Sequence, residues 1–89
     1  MKTKKGFVLR SLGNEYILMA EGIEAEGFDA MISMNESAAF LWKAVDGKDF
    51  DVNTFVDLLV EEYGIAREVA EKDAAAVLQG WKEMKIVED

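Results

Sequence analysis

Between Ser33 and Gly47 the hydrophobic pattern of the chain changes its period, and what precedes and follows that stretch must fold differently. Up to Met34 apolar residues alternate: Phe28, Ala30, Ile32 and Met34 stand between Asp29, Met31 and Ser33. A period of two belongs to a strand with one covered face. After Asn35 the period becomes helical, with Ala38, Leu41, Trp42 and Val45 on one stripe. Asn35 supplies an N-cap, because its side-chain oxygen can accept from the unpaired amides of the first turn. Gly47 stands just past the last turn, where a left-handed residue is favoured. The stretch predicts a strand end, a capped helix and a glycine stop.

Upstream, Phe7 to Leu12 and Glu15 to Ala20 are two further β-type runs. Gly13-Asn14 between them fits a two-residue hairpin turn with glycine at the first central position. That turn sets Leu12 opposite Glu15, Leu9 opposite Leu18 and Phe7 opposite Ala20. One face then carries Phe7, Leu9, Tyr16 and Leu18, and the other Val8, Arg10, Ile17 and Met19. Met1 to Lys5 reads as a mobile tail, and Glu21 to Gly27 as a loop punctuated by Gly22 and Gly27. With Phe28 to Met34 the runs make a three-stranded antiparallel meander. Its third strand keeps a free edge unless another element covers it.

Downstream, Asp51 caps a second helix from Val52 to about Tyr63, with Val52, Phe55, Val56, Leu59 and Val60 on one face and Gly64 at its end. A third runs from about Arg67 to Met84. Ala70, Ala74, Val77, Leu78 and Trp81 form its main stripe, and Val69, Asp73, Ala76, Gly80 and Met84 a flank. Ile86 and Val87 fold back as an apolar clip. The fold class is therefore α+β: an N-terminal three-stranded antiparallel sheet followed by a three-helix, winged-helix-like bundle. One domain accounts for residues 1–89.

Charge and missing residue types exclude whole classes of chemistry. Ten Lys plus Arg face 18 Asp plus Glu. Lys2, Lys4 and Lys5 lie in the tail, so from Gly6 onward the balance is 7 minus 18, or −11. Such a body repels phosphate backbones and suits a basic partner, although solubility alone would also account for it. There is no Cys and no His, hence no thiolate site, no disulfide and no neutral-pH imidazole base. Ser11, Ser33 and Ser37 have nothing to activate them. Asp46, Asp49 and Asp51 lack the rest of a calcium loop. No metal, no cofactor and no enzymatic activity are expected. No apolar run is long enough to cross a bilayer and no signal peptide is evident, which points to the cytoplasm.

The run from Ser33 to Gly47 resembles the signature of the PqqD family, small domains also called RiPP recognition elements. The matching residues are Met34-Asn35, Ala39, Trp42 and Asp46-Gly47, then Tyr63-Gly64-Ile65, then Asp73, Val77-Leu78 and Trp81, and finally Lys85-Ile86-Val87. Met34 stands where the family usually has Leu, and Lys85 where Gly is common. The second departure leaves the turn after the third helix open. The resemblance implies a peptide-binding adaptor without catalysis. It would capture the leader segment of a ribosomally made precursor and present it to a modifying enzyme, radical-SAM or another. The leader would add as a strand to the third strand and pack on the third helix.

The contact residues implied are Asp29, Ala30, Met31, Ile32 and Ser33 on the edge, and Asp73, Ala76, Val77, Gly80 and Met84 on the helix flank. Each has a plainer alternative. The edge could be covered, and the flank could simply meet the sheet. Met19, Met31 and Met34 could form an adaptable peptide surface or ordinary core. Asn35, Trp42 and Gly47 read as structural. Two other functions compete. A winged-helix transcription regulator fits the helix order. Its third helix would carry Arg67, Lys72, Lys82 and Lys85 against Glu68, Glu71, Asp73 and Glu83, poorly suited to nucleic acid. A bare interaction domain, with a possible homodimer, would use the sheet face of Val8, Ile17 and Met19.

Overall fold

The computed structural model describes residues 1–20 and 31–88. In chain order the elements are β1 (Lys2–Thr3), β2 (Phe7–Leu12), β3 (Glu15–Ala20), β4 (Met31–Met34), α1 (Glu36–Val45), α2 (Val52–Tyr63), α3 (Arg67–Glu83) and β5 (Val87–Glu88). Strands β2, β3 and β4 form an antiparallel sheet in that order, and the three helices follow. This is the α+β arrangement expected. The loop expected over Glu21 to Gly27, and Phe28 to Ala30 of the third strand with Asp29 and Ala30, lie outside the described residues.

The hairpin has the register that its turn dictates. Leu12 pairs with Glu15, Leu9 with Leu18 and Phe7 with Ala20. Gly13 takes φ +65, a conformation open to glycine without a Cβ clash. On the face turned to the helices, Phe7, Leu18 and Met34 are buried and Leu9, Tyr16 and Ile32 are partly so. On the other face Val8, Met19 and Met31 make one row across three strands. The three methionines therefore do not share a surface. Met34 is core, whereas Met31 is 60% exposed on the outer face.

The helix caps follow from side-chain chemistry. The Ala38 amide donates to Asn35 Oδ1 at 2.8 Å. At α2 a reciprocal box forms: the Thr54 amide donates to Asp51 Oδ1 at 3.0 Å, and the Asp51 amide to Thr54 Oγ1 at 3.2 Å. Gly47, at φ +77, turns the chain after α1. After α3 the residue that turns the chain is Lys85, at φ +61. The turn is kept without glycine.

Aromatic rings join the layers. Trp42 of α1 meets Phe7 of β2 edge-on at 6.4 Å and Trp81 of α3 at 5.4 Å. Trp81 meets Phe55 of α2 at 5.1 Å, and Phe55 stacks on Phe50 at 5.1 Å. The Trp42 indole N–H is buried and has no hydrogen-bond partner among the described residues. Leaving such a donor unpaired costs about 1–3 kcal/mol. Burying a ring of that size contributes about 4–6 kcal/mol, so the position remains net stabilising.

The mobile tail expected over Met1 to Lys5 needs correction. Lys2 pairs with Glu88 and Thr3 with Val87, so the two ends of the described chain form a small antiparallel clasp. Thr3 is buried. Its hydroxyl donates to Asp46 Oδ1 at 3.0 Å and accepts from the Gly47 amide at 3.2 Å. The Lys4 amide donates to the Ile86 carbonyl at 2.8 Å. The physical reason is that backbone pairing and one small hydroxyl hold this segment, and neither leaves a hydrophobic period in the sequence. Ile86 and Val87 are buried, as the expected clip requires.

Candidate functional site

In the sheet order β2-β3-β4, β4 is outermost, and no described strand pairs with its far edge. Alternate residues of an edge strand turn their N–H and C=O groups outward, where another extended chain can pair with them. Met31 and Ser33 are exposed here and Ile32 is half-buried.

Where β4 ends, a cleft begins. It holds about 410 Å³. Asn35 and Ser37, at the start of α1, form one wall; Leu59, Tyr63 and Ile65, around the end of α2, form another; Asp73, Ala76 and Val77 of α3 close it. Three of the expected flank residues thus meet in one concavity. Gly80 and Met84 follow on the same flank of α3 but do not line the cleft. Met31, Ile32 and Ser33 stand on the strand leading to it and do not line it either.

The flank is accessible. Asp73 and Ala76 are exposed, Met84 is 39% exposed, and Val77 and Gly80 are half-buried. Nothing lies within 4 Å of where a Gly80 Cβ would stand. The small side chains at Ala76 and Gly80 therefore leave room beside α3, whose main partner is α2.

Sequence reasoning missed the part of the wall given by Leu59, Tyr63 and Ile65, and treated Asn35 as a cap alone. Asn35 does cap α1, and Ser37 Oγ also donates to its Oδ1 at 3.0 Å. Both residues face the cleft as well. The signal that could have found the α2 wall was Tyr63-Gly64-Ile65, since a helix stop beside α3 places its neighbours against that helix.

Electrostatically the cleft is one-sided. Its lining holds one charged residue, Asp73, and no Lys or Arg. Tyr63 is 41% exposed, with its ring edge-on to Phe40 at 5.9 Å. Its phenol is pushed above the usual tyrosine value by partial burial and then by the carboxylates of Glu36 and Glu62, with Tyr16 adding to them. Among the described residues no group of three acidic side chains is placed to hold a metal ion, and no helix is long and apolar enough to cross a membrane. What the arrangement offers is a strand edge that no described strand pairs and, beginning at the residue after it, an apolar cleft with one carboxylate. That suits binding an extended chain.

A family model described as "Coenzyme PQQ synthesis protein D (PqqD)" matches residues 15–87. Among solved structures, "TbiB1 in Complex with the TbiA(beta) Leader Peptide" is similar in fold, with a TM-score of 0.77 at 17% identity. The match covers 99% of this chain and 95% of that one. No curated protein matches the chain.

Proposed function

The chain belongs to the PqqD family, and on that premise we propose that it is a non-catalytic adaptor that binds the leader segment of a ribosomally made precursor peptide. The leader adds as a strand to the outer edge of β4, which no described strand pairs, and sends side chains toward α3. Main-chain hydrogen bonds supply affinity, and the cleft supplies selectivity. The bound precursor is then held for a modifying enzyme, of the radical-SAM type or another, in the cytoplasm. Residues 1–89 act as one domain in this role.

The observation that carries the reading is that β4, whose outer edge no described strand pairs, ends at Met34, next to Asn35, which lines a cleft walled by α3. The TbiB1 structure, of similar fold, holds a leader peptide by its own description, which supports the same use here. The contact set proposed is Met31, Ile32 and Ser33 with Asp73, Ala76, Val77, Gly80 and Met84, together with Asp29 and Ala30, which precede β4.

The test is a titration of the isotope-labelled chain with the precursor leader encoded beside its gene. Amide shifts should concentrate on Met31 to Met34 and on α3. Scattered shifts, or no binding at millimolar peptide, would count against the proposal. A second reading, self-association through the outer sheet face, draws on the row Val8, Met19 and Met31, in which Val8 is 37% exposed. Sedimentation equilibrium tests it.

A further inference from the structure

Resting on the peptide-docking reading, we infer that the cleft selects a guest segment in which a large apolar side chain is followed or preceded closely by a lysine or arginine. The apolar half of the requirement comes from Ile65 and Val77, which are half-buried and gain from covering by an apolar guest, with the buried Leu59 behind them in the lining. The cationic half comes from Asp73. Its carboxylate shares the lining with Ala76 and Val77, and it has no hydrogen-bond or ion-pair partner among the described residues.

A guest that fills the cleft takes water away from Asp73. A carboxylate stripped of water without a partner is costly, so a wholly apolar guest would lose at Asp73 part of what it gains on the walls. A guest ammonium or guanidinium removes that loss with a charge-assisted hydrogen bond. Next to the lining residues in sequence stand two carboxylates and one ammonium, Lys72 beside Asp73, so the balance around the cleft is acidic. Glu36 lies between the lining residues Asn35 and Ser37, and Glu62 adjoins the lining residue Tyr63. Both carboxylates act on the Tyr63 phenol. No cation stands in the lining itself, so an acidic guest meets the repulsion of Asp73 there, with Glu36 and Glu62 next to the lining.

The experiment is a selection of displayed random peptides against the whole chain, run in parallel on Asp73→Lys. Asp73 is an exposed helix residue, and the amide spectrum of the variant confirms its fold before use. With the native chain, selected peptides should carry Lys or Arg within two positions of a Leu, Ile, Phe, Tyr or Trp. With Asp73→Lys the enrichment should turn to Asp and Glu. In the strongest peptide, replacing that cation by Glu should weaken binding to the native chain by about tenfold at low salt. The same change should strengthen binding to Asp73→Lys. Peptides that shift β4 and α3 amides yet show no cation enrichment, or the same enrichment in both chains, would overturn the charge rule and leave strand addition standing. Selected peptides that never shift β4 and α3 would overturn both.

Discussion

The Ile86 amide donates to the Trp81 carbonyl at 3.1 Å, and this bond closes α3. With the Lys85 amide on the Lys82 carbonyl at 3.1 Å it makes a Schellman motif. The residue between the two ends, Lys85, is held at φ +61, where an L side chain crowds its own backbone. Family resemblance placed a glycine there. Lys85→Gly should therefore raise stability by about 0.5–1 kcal/mol, the strain relieved exceeding the entropy that glycine adds to the unfolded chain. Lys85→Val should lower it. Urea denaturation of the three proteins measures both.

Thr3 is the hinge pin of the terminal clasp. Its hydroxyl bridges the Asp46 carboxylate and the Gly47 amide, both at the end of α1. Thr3→Val keeps the shape and removes both bonds, leaving a partly buried amide unpaired. The expected loss is about 1–2 kcal/mol, with faster amide exchange at Gly47 and unchanged exchange at Ala38, whose amide donates to the Asn35 cap at the far end of α1. If exchange rises equally along α1, the clasp is not a local fastener.

Substitutions at Gly80 test the proposed binding flank apart from the fold. Gly80→Ala should stabilise α3 by about 1 kcal/mol, because alanine favours the helix and its methyl has open space. Gly80→Leu should also fold, since among the described residues nothing lies within 4 Å of its Cβ and the position is only half-buried. It should weaken leader binding about tenfold by filling the space that the guest backbone needs. A leader that binds Gly80→Leu as well as the native chain does not pass along that flank.

How much of this was legible in the sequence depends on the range of the forces involved. The Asn35 and Asp51 caps, the Gly13 turn and the hairpin register come from contacts a few residues apart, and local spacing was enough to place them. The side assignments of Met31 and Met34 follow from alternation alone. The Lys2–Thr3 strand did not show, because its partner is at the other end of the chain and its inward residue is a threonine. The Leu59, Tyr63 and Ile65 wall of the cleft depends on how α2 lies on α3. Helical phase names a face but not its neighbour.

Tyr63 gives the cleft a pH marker. The folded chain holds its phenolic proton more firmly than the unfolded chain does, through burial and through Glu36 and Glu62. The associated stability is fully present below the ordinary tyrosine value of 10.0 and fades as pH rises through the higher folded value. An alkaline absorbance titration of native chain minus Tyr63→Phe should place its midpoint above 10.0. Glu36→Gln should bring the midpoint down. No movement would mean that this carboxylate does not act on the cleft.

Strand addition makes a demand that ordinary surface binding does not. The guest must take hydrogen bonds from alternate outward-facing amides of β4. Amide hydrogen exchange across Met31 to Met34, with and without saturating leader peptide, measures this directly. Alternate amides in the strand should slow by about a hundredfold or more, corresponding to about 2.7 kcal/mol, while those already paired to β3 change less. A leader that binds tightly while every β4 amide keeps its free-state exchange rate would contradict strand addition.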